Sequence, residues 1–337
     1  MSPVLLFGGR SAEHEVSVLS AASVAASLLA RGISPYLLGI GKDGKLYRFH
    51  GTPEELIPEK WQDKTSPLSL RYEGGKPLVV EEKNGHVFTP DVIFPLLHGT
   101  YGEDGHWQGL LSLCGVPYLG AGLLSSALCM HKAKAKALAA HHGIATPIFF
   151  VAENAATETL AEIERTLSYP LFVKPLSAGS SFGVSRVENA AALRPAIKAA
   201  LAYGDRAIVE EEVAGTELSV GVLEKNGQLL LSPVGEIRVE KGFYDYEAKY
   251  KSPTSHLVLP ALLSSAEEKS VKDKAAFLFR LFECRDFARV DFLRSKKGTV
   301  FFGEINTIPG FTKESLFPKL FASIGIDPLS FLLEDRP

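Results

Sequence analysis

At 337 residues the chain is long enough for two or three compact units, and 46% hydrophobic with 22% charged residues favours a folded globular protein over a disordered one. A formal net charge of -3 and an isoelectric point near 6.3 supply no basic field for nucleic acid, and no like-charge run suits an anionic membrane, so partners are expected among small molecules. Cys114, Cys129 and Cys284 fit neither a disulfide framework nor a metal motif, which suits a reducing, cytoplasmic setting.

The opening segment has no basic flank, and its apolar run is too short for an export signal or a membrane span. Residues 4–7 read instead as a strand closed by Gly8-Gly9, followed by helical spacing over 16–29 and a strand at 34–40, a βαβ opening. Residues 51–86, rich in Pro, Gly, Lys and Glu, read as a surface elaboration with a small hairpin near 78–82. A strand at 92–97 ends in the polar turn His98-Gly-Thr-Tyr-Gly-Glu-Asp-Gly105, with a helix at 107–114 behind it. Ligands collect at such strand ends in open parallel sheets.

Helical patterns over 123–142 stop at Ala145-Thr-Pro147. A strand at 148–151, a helix at 159–167, a strand at 171–174, a helix at 190–201 and a strand at 207–211 predict an α+β unit. A third unit follows, with strands at 218–223 and 229–231, a helix at 266–282 and paired strands at 288–293 and 300–305. The expected domains are 1–120, an α/β unit on the substrate side, then 121–209 and 210–337.

Two blocks carry chemistry. Phe172-Val-Lys174-Pro-Leu-Ser-Ala-Gly-Ser180-Ser181-Phe-Gly183 ends a strand on a lysine and continues as a small-residue loop, in which amides, hydroxyls and an ammonium can meet phosphate. In Phe287-Ala-Arg289-Val-Asp291 and Phe301-Phe-Gly-Glu304-Ile-Asn306, strand alternation puts Arg289 and Asp291 on one face, and Glu304 and Asn306 on one face of the partner strand. Two carboxylates and an amide among apolar neighbours suit a hard cation such as Mg²⁺ or Mn²⁺. A solvated polar hairpin face is the alternative.

These blocks resemble the ATP-grasp fold. Phe7-Gly-Gly-Arg-Ser-Ala-Glu13-His-Glu-Val-Ser17, the His98 turn, Phe243-Tyr-Asp-Tyr-Glu-Ala-Lys249-Tyr250 and Asn306-Thr-Ile-Pro-Gly310-Phe-Thr-Lys-Glu-Ser315-Leu316 resemble the signature segments of D-alanine:D-alanine ligases over nearly the whole chain. The resemblance implies an ATP-grasp fold behind an N-terminal open parallel-sheet domain. It also implies ligation of two D-alanines through an acyl phosphate, with ATP as co-substrate, for peptidoglycan precursor synthesis by a cytoplasmic homodimer.

By the same resemblance Lys132, Lys174, Lys249, Ser180 and Ser181 meet the phosphates of ATP, and Asp291, Glu304 and Asn306 hold two Mg²⁺ or Mn²⁺ ions. Glu210 and Glu217 meet adenine and ribose, although Glu210-Glu-Glu212 reads equally as a solvated strand end. Glu13 pairs with the first D-alanine's ammonium, with His98 near its carboxylate; Ser180 and Tyr250 link to Glu13. Arg289 and the Gly310 amide stabilise the oxyanion, and Ser315 and Leu316 bind the second carboxylate. Residues 242–252 are expected to close over the site. Tyr250 favours a dipeptide product over D-alanyl-D-lactate. The chain departs from the family pattern at Met130-His131-Lys132, usually Met-Asp-Lys, and at Ala178, often glutamate. An ATP-grasp ligase with another second substrate, D-lactate or D-serine, and a silent nucleotide-binding regulator are the rival readings. A nicotinamide-dependent dehydrogenase is disfavoured because GxGxxG is absent from the opening turn.

Overall fold

The computed structural model of the chain describes residues 3–73, 76–177, 179, 183–239 and 255–333. Its first sheet is built from β1 (Val4–Gly8), β2 (Tyr36–Ile40), β3 (Leu46–Phe49), β4 (Thr65–Glu73), β5 (Lys76–Glu81), β6 (Val87–Phe88) and β7 (Ile93–Pro95). Helices α1 (His14–Leu29) and α2 (His106–Leu113) complete the unit. The strand order is β6-β5-β4-β3-β2-β1-β7. Only β2, β1 and β7 run parallel. Residues 46–88, which contain the expected surface elaboration at 51–86, add four antiparallel strands to this sheet. They bury Leu68, Val79 and the Glu81 carboxylate, which Arg48 and Tyr36 engage.

Period-two alternation divides β1 between two cores. Leu5 and Phe7 face α1, while Val4 and Leu6 join Leu111 of α2 on the other side.

Next come α3 (Leu123–Met130), α4 (Lys132–His141), β8 (Phe149–Ala152), α5 (Thr157–Thr166), β9 (Leu171–Pro175), β10 (Ser185–Val187), α6 (Ala190–Leu201) and β11 (Ala207–Glu211). The order β10-β9-β11-β8 makes an antiparallel sheet whose inner residues Leu171, Val173 and Val209 pack on Ile163, Leu193 and Ile197 of α5 and α6. The opposite face presents Phe172, Lys174 and Glu210, since Glu210 lies directly across from Phe172.

The third sheet contains β12 (Gly215–Lys225), β13 (Gln228–Leu231), β14 (Gly235–Val239), β15 (Ser255–Val258), β16 (Phe287–Ser295) and β17 (Val300–Asn306). Its path is β15-β14-β12-β16-β17, with β13 also on β12. Helix α7 (Ser265–Leu281) covers one face through Val271, Ala275, Leu278 and Phe279. It starts with a capping box between Ser264 and Glu267. Helices α3 and α4 join that same core through Cys129, Ala135 and Ala139, while Ala133 of α4 packs against Ile208 and Leu176 of the central unit, so α4 touches both sheets.

The other face changes character along its strands. Phe287 and Leu223 enter a core shared with β1 and α1, together with Phe317 and Phe321 of α8 (Leu316–Ala322) and Leu329 and Leu332 of α9 (Pro328–Leu333). Phe94, Phe287, Phe311 and Phe317 form its aromatic centre, with ring centroids 5.1 to 6.2 Å apart. Further along the same faces stand Arg289, Asp291 and Ser219, beyond the apolar contacts.

No helix among the described residues is long and apolar enough to cross a membrane. Phe287→Ala is expected to lower unfolding free energy by about 3–5 kcal/mol, read by urea denaturation, because it empties the centre of the shared core.

Candidate functional site

The strand faces described above converge on one cleft of about 420 Å³. The first sheet and the helix behind it contribute Glu13 and His98, and α4 contributes Lys132. The central sheet contributes Lys174 and Glu210; β12 adds Glu217, and the β16–β17 hairpin adds Arg289, Asp291, Glu304 and Asn306. Gly310, Ser315 and Leu316 close the far end. Ser180, Ser181, Lys249, Tyr250 and Ala178 lie outside the described residues, as does the closing segment over 242–252.

The hairpin owes its geometry to an irregularity. Asp291 pairs with Glu304 and Arg289 with Asn306, so all four side chains share a face. Phe292, however, pairs with Phe302, leaving Gly303 as the extra residue of a bulge. Plain alternation would set Phe302 and Glu304 on one side. The bulge instead sends Phe302 and Ile305, three apart, into the core and Glu304 into the cleft. A β-carbon on Gly303 would stand 3.0 Å from the Asp291 carbonyl oxygen, so glycine keeps the two strands close. The hairpin ends where expected, with Gly298 N–H donating to the Ser295 carbonyl.

Asp291 is fixed on both sides. Arg289 donates from Nε (2.9 and 3.0 Å) and Nη2 (2.8 Å), and Ser219 Oγ donates at 2.6 Å from the directly paired position on β12. Ser219 has no role in the sequence reading; its signal is a hydroxyl on an otherwise apolar strand. The donor set offers two carboxylates and one amide. Among the described residues no group of three or more His, Cys, Asp or Glu stands placed to hold a metal ion. Oxygen donors of this kind are those a hard divalent ion accepts, with water and phosphate oxygens completing its shell.

Across the cleft, Glu210 is 2% exposed and bonded by Lys174 Nζ at 2.8 Å, with Lys136 Nζ at 3.3 Å. Burial raises a carboxyl pKa, yet Lys136 and Lys174 together outweigh it and hold Glu210 near 2. Burial also works against charge on Lys174, but Glu210 raises it overall. Burial lowers Lys132 despite the opposing pull of Glu304. The carboxylate at 210 is thus a paired, buried charge rather than a solvated strand end.

At the first sheet, Glu13 precedes α1 and its amide takes a hydrogen bond to Ser11 Oγ. A β-carbon on Gly179 would lie 2.9 Å from Glu13 Oε2, so glycine there brings the small-residue loop against this carboxylate. His98 is buried, with Ser20 Oγ at 3.1 Å from Nε2. Burial depresses its pKa to about 4, against the pull of its hydrogen bond to the Ile308 backbone, leaving a neutral imidazole at pH 7.

Glu103, part of the His98 turn but given no role from sequence, also lines the cleft and accepts from Gly99 N–H at 2.7 Å. Burial, then the neighbouring Glu13 charge, push its pKa well above the usual carboxylate range. His131 answers one family departure: its Nδ1 accepts from Lys134 N–H at 3.2 Å, capping the helix that carries Lys132 as the usual aspartate would. Ser315 Oγ sits 2.8 Å from Thr312 Oγ1, and Asn306 Oδ1 accepts from Ile308 N–H at 3.0 Å.

Two family models match the chain: "D-ala D-ala ligase N-terminus" over residues 3–121 and "D-ala D-ala ligase C-terminus" over 138–334. The chain is 40% identical to a D-alanine–D-alanine ligase of Caldicellulosiruptor bescii, over 98% of this chain and 92% of the relative. It is also 40% identical to one of Mycobacterium sp. (strain KMS), over 96% and 92%. Among solved structures it is similar to the VanG D-Ala:D-Ser ligase of Enterococcus faecalis, with TM-score 0.86 and 34% identity over 98% of this chain and 97% of that one. The D-alanine-D-alanine ligase of Coxiella burnetii follows at TM-score 0.84 and 29% identity, over 99% and 93%.

The depressed His98 fixes the sign of one pH effect. A group whose pKa falls from 6.5 to about 4 on folding contributes stability above pH 6.5 that is lost as pH drops toward 4. The loss is expected to be about 3 kcal/mol, and His98→Gln should flatten the urea midpoint against pH between those limits.

Proposed function

The chain belongs to the D-alanine–D-alanine ligase family, and from that premise we infer that it joins two D-alanine molecules, converting ATP to ADP and phosphate. The observation that carries this reading is the single cleft that gathers the Glu13 carboxylate, the Lys132 and Lys174 ammoniums and the Asp291–Glu304 carboxylate pair from all three units. D-alanyl-D-alanine for peptidoglycan precursors is the proposed product.

In the first step a carboxylate oxygen of one D-alanine bonds to the γ-phosphorus while the bond to ADP breaks, giving D-alanyl phosphate. Glu13 is proposed to hold that amino acid's ammonium, and neutral His98 to lie near its carboxylate. Lys132 and Lys174 are assigned to the nucleotide phosphates, Glu210 to the adenine and Glu217 to the ribose. Cations fixed in a cleft stabilise a transition state whose charge spreads over phosphoryl oxygens. Asp291, Glu304 and Asn306 would hold Mg²⁺ or Mn²⁺, which when bound would neutralise charge on the phosphates.

In the second step the amine nitrogen of the other D-alanine bonds to the acyl carbon, and phosphate departs as the tetrahedral oxyanion collapses. Arg289, oriented by Asp291, and the Gly310 amide are assigned to that oxyanion. The Ser315 hydroxyl and Leu316 amide are assigned to the second carboxylate. Roles for Ser180, Ser181, Lys249 and Tyr250 rest on the sequence motifs.

A cytoplasmic setting is supported by the thiols of Cys114, Cys129 and Cys284, all free. A homodimer is proposed on family grounds, supported by exposed Leu110, Leu113, Leu123 and Leu124 on α2 and α3.

The similarity to a D-Ala:D-Ser ligase makes D-serine the second reading for the acceptor. Phosphate release from Mg-ATP is to be measured with D-alanine alone and with D-alanine plus L-alanine, D-lactate or D-serine, identifying products by mass. D-alanyl-D-alanine alone is expected; a predominant D-alanyl-D-serine product would reassign the acceptor site, and ATP binding without turnover would favour a silent regulator. Glu304→Gln is expected to lower kcat about 10²–10³-fold.

A further inference from the structure

Lys136 has no role in the reaction as described, yet it borders the cleft from behind. It lies one helical turn beyond Lys132 on α4, so both project to the same side of that helix. Its side chain is 1% exposed. Its ammonium donates to the Gly303 carbonyl at 2.8 Å and the Phe302 carbonyl at 3.3 Å, and forms an ion pair with Glu210 Oε1 at 3.3 Å.

Glu210 therefore has two counter-ions of unequal freedom. Lys136 is anchored to main-chain carbonyls on another sheet and does not line the cleft, whereas Lys174 stands in the cleft wall with its side chain 25% exposed. A buried carboxylate deprived of every cation is strongly penalised. Were Lys174 the sole partner, its departure toward a nucleotide phosphate would strand Glu210.

We propose that Lys136 is a positioning residue of the nucleotide site: the fixed counter-ion of Glu210 that lets Lys174 turn from Glu210 to phosphate. This rests on the cleft being the ATP site. The same ammonium grips the two carbonyls at the Gly303 bulge, tying the base-side carboxylate to the strand that aims Glu304.

The test compares binding of Mg-ATP and of adenosine, by competition against a fluorescent adenine nucleotide, to the parent, Lys136→Met, Glu210→Gln and the double variant. Lys136→Met is expected to weaken ATP at least about tenfold and adenosine less than about threefold, because adenosine offers Lys174 no phosphate. In the Glu210→Gln background, where no carboxylate detains Lys174, the same substitution should change ATP affinity less than about twofold. Lys136→Arg, which keeps the charge, should stay within about threefold of the parent. Lys136→Gln carries the same comparison should circular dichroism show the methionine variant unfolded.

Equal losses for ATP and adenosine, or an undiminished ATP loss in the Glu210→Gln background, would overturn the proposal in favour of a purely structural clamp. A parent that binds neither ligand would remove the nucleotide reading itself, which separates the two failures.

Discussion

Everything at the cleft depends on how β12, β16 and β17 alternate. One face of the third sheet is apolar over its centre, where Leu218, Val220, Val290 and Phe292 share a core with α3, α4 and α7. The opposite face turns Leu223 and Phe287 into the core shared with the first unit, and Ser219, Arg289 and Asp291 into the cleft. A shift of one residue in register would exchange these roles everywhere at once, placing carboxylates in the core and phenylalanines in the cleft. The dense aromatic contacts around Phe287 fix that register at one end, and the Gly303 bulge corrects the alternation of β17 where Glu304 must face the cleft.

Charge placement follows the same economy of geometry. The cleft carries carboxylates on both walls, and three of them show how burial is offset. Glu210 is met by two lysines, Asp291 by Arg289 and Ser219, and Glu103 by a pKa pushed upward and a hydrogen bond from the Gly99 amide. Buried groups that are neither paired nor neutral would cost several kcal/mol each. The arrangement leaves positive and negative groups facing each other across a space sized for a small ligand, which is a preorganised field rather than one assembled on binding.

Much of this was legible in sequence because the strongest patterns sit at the site. The apolar run at β1 and the alternation of β16 are plain, the helix–strand order of the central unit is regular, and the motif segments are long enough to identify a family. Other features were hidden for physical reasons. Residues 46–88 alternate as any hairpin would, and alternation does not reveal whether an edge is free or joined to a neighbouring sheet. Lys136 on an alanine-rich helix reads as a solvated residue until the third sheet is packed against it. Glycine within β17 was the available signal for the bulge, since an interior strand glycine often marks one. The effect of histidine at 131 was not legible in sequence, and its Nδ1 contact with the Lys134 amide shows the imidazole capping α4.

The core that joins Leu5 and Phe7 to Phe317, Phe321 and Leu332 unites segments from opposite ends of the order of synthesis. A nascent chain can pair β1 with β2 and lay α1 across them early, but the helices that finish this apolar layer emerge from the ribosome last. Throughout translation the first unit therefore carries an incompletely covered greasy surface. Such long-range closure is slow and exposed to aggregation, so the feature that makes the finished enzyme a single packed body also makes its newborn form a natural client of chaperones.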